Sequence, residues 1–162
     1  MTATSSAPTT TATEDRLAIL ELIGRLGLLV DARDWNALEG LFTNPVYSDR
    51  TSLFGGEPET LSPGELVGGL RQVLGNLDAT HHLITCQVID LDGDQATSAA
   101  NMQGTHVLAN SSGGSEWIAA GRHDYQLKRT ADGWRIAGLT FTVQWATGNE
   151  QILTLAAAGG QA

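Results

Sequence analysis

The chain has 162 residues, 41% of them hydrophobic, enough for one domain with a single core and a cavity. Its net charge is −9 with only nine Lys and Arg, so it lacks the clustered cations that grip phosphates, and nucleic acid is not an expected partner. No apolar run approaches the roughly 20 residues needed to span a bilayer, so no membrane association is expected.

The start, MTATSSAPTTTAT, has neither the basic nor the apolar stretch of a secretion signal and reads as a disordered tail over residues 1–13. Thr13 followed by Glu14 and Asp15 suggests a helix start, with a capping residue and then acids favoured by the helix dipole. Leu17, Leu20, Ile23, Leu26 (or Gly27) and Val30 recur at helical spacing, which predicts a buried face ending near Asp31. A short second helix follows in DWNALEGLF, with Asp34 as N-cap and Trp35, Leu38, Leu41 and Phe42 inward. Asn44-Pro45 reads as a breaker, VYSD as a short strand, and LFGGEPETLSPGE as a loop. Ser62 with Glu65 makes a capping box ahead of a third helix over 63–77.

The remainder alternates. HHLITCQVIDL, QATSAANMQGTHVLA, SEWIAAGRHDYQLKRT and WRIAGLTFTVQWAT read as strands, joined by turns at Asp92-Gly93, SSGGS and Asp132-Gly133. Asp90, Asp92 and Asp94 fit a turn better than a calcium loop, since the twelfth-position acid is missing. The single cysteine, Cys86, excludes an intrachain disulfide, fits a reducing cytoplasm, and is expected as a small buried side chain. Helices followed by an antiparallel meander indicate an α+β domain.

All four histidines, His81, His82, His106 and His123, fall in the strand-rich half. Period-two alternation puts Trp117, Ala119, Gly121, His123, Tyr125 and Leu127 on the more apolar side of one strand and Arg122 and Asp124 on the other. Met102, Gly104, His106 and Leu108 share a side of the preceding strand, so His106 and His123 can face one interior. A one-residue slip would invert this. Histidines on an apolar face also fit a core with satisfied hydrogen bonds, Asp31 also fits a solvated helix end, and Tyr47 and Trp145 also fit packing.

VDARDWNALEGLF, THHLI, QGTHV, AAGRHDYQLKRTADGWRIAGL and VQW, in this order, resemble the NTF2-like superfamily in its SnoaL-like, scytalone dehydratase-like branch. The resemblance covers about residues 14–153 and leaves 154–162 as a flexible tail. It implies a cone-shaped barrel: helices packed on a strongly curved, mixed but mainly antiparallel sheet around a deep apolar pocket. It also implies a homodimer or higher homo-oligomer. Carried over residue by residue, Asp31 matches the acid that orients a catalytic histidine, His82 the first pocket histidine, and His106 the second, expected as general base and acid. His123 replaces a substrate-binding asparagine. Val30 and Arg50 stand where two tyrosines that hold a water would be expected, which argues against scytalone itself. Asp49 lies near the place of the ketosteroid isomerase base.

The chemistry implied is removal of a proton next to a carbonyl, then loss of water, ring closure or double-bond migration, without metal or other cofactor. His123 with Tyr47 is expected to hold substrate oxygens, Asp49 and Tyr125 are further expected substrate contacts, and Trp117, Phe141 and Trp145 are expected to supply aromatic walls. The expected substrate is a neutral ring-bearing compound of polyketide or terpenoid type. Three rivals are a non-catalytic ligand-binding or dimerisation module, an epoxide hydrolase using Arg122 and Asp124, and a metal site of His82, His106 and His123.

Overall fold

A computed structural model describes residues 11–111 and 113–159. Residues 1–10 of the expected N-terminal tail and 160–162 of the C-terminal one lie outside the described residues. Helix α1 (Ala12–Ala32) starts before Thr13, because Thr11, three residues ahead of Glu14, has the capping-box spacing. The Glu14 amide donates to Thr11 Oγ1 (3.3 Å), and the Thr11 amide donates to the Glu14 carboxylate (2.7 Å). The buried face is also rotated from the expected one. Ile19, Leu22, Ile23, Leu26, Gly27 and Val30 face inward, whereas Leu17 (58% exposed) and Leu20 (39%) face out.

Helix α2 (Trp35–Glu39) is capped by Asp34, whose carboxylate accepts the Ala37 amide (3.1 Å). Strand β1 (Phe42–Asp49) runs through Asn44-Pro45 rather than breaking there. The proline is tolerated because its ladder jumps between Phe42 and Tyr47, so no bond to a Pro45 amide is needed. The Gly/Pro-rich stretch contains a short helix, α3 (Thr51–Phe54), and a short strand, β2 (Glu59–Leu61). Helix α4 (Pro63–Leu74) carries the expected Ser62–Glu65 box but ends three residues before 77.

Strands β3 (Ala79–Asp92), β4 (Gln95–Val107), β5 (Glu116–Thr130) and β6 (Gly133–Gly148) form the expected meander. Strand β1 then adds parallel to β6 and antiparallel to β2, giving a mixed six-stranded sheet in the order β2-β1-β6-β5-β4-β3. On β4 the alternation is regular: Ala96, Ser98, Ala100, Met102, Gly104 and His106 are all buried. Helix α1 packs on β3, and Ile19, Ile23, Leu38, Val46, Leu66 and Ile136 close the core between helices and sheet.

Two further expectations are corrected. Cys86 is exposed with φ 57°, because β3 carries an extra residue where the register shifts between Thr85 and Val88. Part of the expected flexible C-terminal tail is helix α5 (Gln151–Ala157), anchored by buried Ile152, Leu153 and Ala156. Among the described residues no helix is long and apolar enough to cross a membrane.

Candidate active site

The site begins with two glycines. A Cβ at Gly27 would stand 3.3 Å from the His82 carbonyl oxygen, so its absence lets α1 lie close on β3. One turn later that approach brings the Asp31 carboxylate onto His82. One oxygen accepts the His82 amide (2.8 Å) and the other pairs with His82 Nδ1 at 2.7 Å. Burial works to raise the Asp31 pKa, but these two hydrogen bonds outweigh it and hold the carboxyl below its ordinary range. His81, the neighbouring histidine, points outward and is exposed.

The second glycine, Gly104, stands opposite His82 across β3 and β4. A Cβ there would be 2.8 Å from His106 Cε1 and 3.4 Å from His82 Cδ2 and Nε2, so both rings meet over this bare backbone. Their centroids are 5.4 Å apart with the planes at 85°. His106 also lies 5.3 Å from the Trp117 ring. It is 7% exposed, and its Nδ1 has no hydrogen-bond partner. Burial, reinforced by the neighbouring His82, pulls its pKa down to about 4, so it is neutral at pH 7.

His123 faces the same space from β5. Its Nδ1 shares a hydrogen bond of 2.7 Å with the Tyr125 hydroxyl, and its ring stands edge-on to Phe141 at 5.0 Å. Burial pulls its pKa down to about 3 and pushes the Tyr125 hydroxyl up, so both are neutral. These groups open into a cavity of about 420 Å³ with mostly apolar walls. Among the described residues no group of three or more His, Cys, Asp or Glu is arranged to hold a metal ion.

Of the residues singled out from sequence, His82, His106, His123, Trp117 and Phe141 line the cavity, Asp31 stands directly behind His82, and Tyr125 behind His123. Four expected substrate contacts do not reach it, the buried Tyr125 among them. Tyr47 alternates away from the inward Val46 and Ser48 on β1. Asp49 instead braces α3, accepting from the Thr51 amide (3.0 Å) and hydroxyl (2.7 Å). Trp145 is 48% exposed: the register shift opposite Ala120 and Gly121 makes Gln144 an extra residue, which reverses the alternation beyond Val143. Arg122 and Asp124 pair with each other on the outer face, 55% and 42% exposed, away from the cavity. Ser48 and Arg50 also line the cavity; the resemblance marked Arg50 only as replacing a water-holding tyrosine, and alternation from Val46 was the available signal for Ser48.

A family model described as a SnoaL-like domain matches residues 11–140. The chain belongs to the SnoaL-like family. The Mycobacterium tuberculosis protein Rv2910c is 30% identical over 123 residues, 75% of this chain and 80% of that protein. The solved structure of Kfla4162 from Kribbella flavida superposes with a TM-score of 0.83 at 32% identity, covering 90% of this chain and 99% of that one. A Novosphingobium aromaticivorans protein assigned as a scytalone dehydratase gives a TM-score of 0.72 at 14% identity, covering 85% and 92%, a likeness of fold. The SnoaL-like assignment and the NTF2-like, α+β fold expected from sequence are therefore both found.

Proposed function

We propose that this SnoaL-like protein is a cofactor-independent acid/base enzyme, a lyase of dehydratase type or an isomerase or cyclase, acting on a small ring-bearing substrate. The observation that carries the reading is the Asp31–His82 pair set against a neutral His106 inside one apolar cavity. The fold relative assigned as a scytalone dehydratase supports the same reaction class.

The geometry favours an exchange of the roles expected from sequence. Asp31 accepts the Nδ1–H of His82, which leaves the lone pair on Nε2, the atom beside Gly104 and His106. The carboxylate also stabilises the imidazolium that forms when His82 takes a proton from the carbon next to a carbonyl. His106, desolvated and resistant to protonation, is the poorer proton acceptor. As a neutral imidazole it donates an N–H to the enolate oxygen instead. His123, fixed by Tyr125, supplies a second neutral contact to a substrate oxygen. The proton held by His82 then leaves with hydroxide as water, or returns to a different carbon and moves the double bond.

The test is exchange of the acidic C–H protons of 2-tetralone in deuterated buffer, followed by NMR. The expected result is exchange well above the buffer rate in the native protein, reduced on the order of 10²- to 10⁴-fold in His82→Gln. Exchange no faster than buffer, or unchanged in His82→Gln, would reject the reading.

A further inference from the structure

Arg50 brings a positive charge to the wall of this apolar cavity, and among the described residues its guanidinium forms neither a hydrogen bond nor an ion pair. Burial lowers its pKa, and Glu59, an exposed residue that also lines the cavity, works in the opposite direction. A guanidinium starts so far above neutrality that it stays charged at pH 7. Two residues earlier, Ser48 is 3% exposed, lines the same cavity, and its hydroxyl has no partner. A buried hydroxyl and a cation on one wall, both without protein acceptors, are matched by an acceptor that a ligand brings.

The backbone that carries them is held from both sides. Asp49 binds the Thr51 amide and hydroxyl, and the Ser52 hydroxyl donates to the Phe141 carbonyl (3.0 Å) while accepting the Val143 amide (2.7 Å). These bonds anchor the backbone on the C-terminal side of Arg50 to the strand of the cavity-lining Phe141. The other titratable groups of the cavity are His106 and His123, both neutral, Asp31, engaged with His82, and Glu57 and Glu59, which line it but are exposed to screening solvent.

We propose that Arg50 and Ser48 form a carboxylate-binding subsite, so that the substrate is a ring-bearing carboxylic acid rather than a neutral ring compound. A planar carboxylate matches the guanidinium fork and leaves a lone pair for the Ser48 hydroxyl. The apolar walls take the ring, and the imidazoles face its reacting edge. The claim that such a ligand is a substrate rests on the acid/base reading above; the subsite itself does not.

The experiment titrates the full chain with 2-naphthoate and, separately, with 2-naphthalenemethanol, reading binding heat at pH 7.5. The native protein is expected to bind the carboxylate on the order of ten- to a hundredfold more tightly than the alcohol. Arg50→Gln should erase that margin while leaving affinity for the alcohol in place, and Ser48→Ala should narrow it. Equal affinities in the native protein, no binding of naphthoate, or an unchanged margin in Arg50→Gln would overturn the subsite. Should Arg50→Gln fail to fold, Arg50→Lys decides. It keeps the charge without the planar fork, and a full margin there overturns the proposal. Exchange of 2-tetralone, which has no carboxylate, reports on the imidazoles alone. Its failure with the naphthoate margin intact would remove the proposed reaction and leave the subsite standing.

Discussion

Replacing His123 and Tyr125 together by Phe removes one of two buried imidazoles without orphaning the hydroxyl that His123 binds at 2.7 Å. In the unfolded chain both His106 and His123 titrate near 6.5. In the fold, burial and then the nearby His82 bring them down to about 4 and about 3. As pH falls below 6.5 the unfolded chain therefore takes up protons that the folded chain refuses. Their stabilising contribution is complete above pH 6.5 and declines as pH falls toward 4. Between pH 6.5 and 4.5 the decline is about 2 kcal/mol for each histidine, and about 4 kcal/mol for both, a large share of a typical domain's stability. Asp31, held below its ordinary range, stays ionised across this window and adds little. Urea denaturation followed by circular dichroism at several pH values measures the slope. The double Phe variant should retain about half of the native pH dependence. An identical slope in the two proteins, or a native stability that is flat from pH 6.5 to 4.5, would refute the claim that these rings are held neutral by burial.

Gly104→Ala places a methyl 2.8 Å from His106 Cε1, so proton exchange of 2-tetralone should drop at least tenfold, by rough order of magnitude, while the melting temperature changes little. Retained exchange would show that the ring positions over residue 104 are unimportant. Asp31→Asn keeps the shape but lets an amide oppose His82 Nδ1, and should lower exchange on the order of 10²- to 10⁴-fold. The pH profile of the remaining activity distinguishes a changed base from a loosened helix. Arg129→Met strips both Asp15 oxygens of their guanidinium partner and leaves that carboxylate, 6% exposed, with Trp134 Nε1 at 3.0 Å. It should cost about 2–3 kcal/mol in denaturant titration, toward the low end for a broken buried pair because Arg129 is itself partly exposed.

The capping box of Ser62 and Glu65, the strand alternation around His106 and His123, and the hairpin order were all legible in the residues, because each depends on neighbours a few positions apart. Thr11 was legible too, once Glu14 three residues on is taken as its partner instead of the adjacent acids. Helix α3 and strand β2 were not. Ser52 is anchored to Phe141 and Val143 some 90 residues away, and Glu59–Leu61 is ordered by pairing with β1. The inward side of β6 could not be read past Val143, since an extra residue in a ladder leaves no mark in the hydrophobic pattern and yet turns Trp145 outward.

For the site, the chain's own order of residues determined which imidazoles could share a face, since alternation along one strand is a local consequence of backbone geometry. The tertiary structure decided which of them meet and what surrounds each ring. It laid Gly27 against β3 so that Asp31 reached His82, bared Gly104 so that two rings could meet, and buried His106 deeply enough to keep it neutral. It also turned Ser48, unremarked in the sequence, and Arg50, marked there only as replacing a tyrosine, onto the cavity wall. Contact distances, desolvation and register arise only when segments far apart in the chain are packed together, and those quantities set the chemistry.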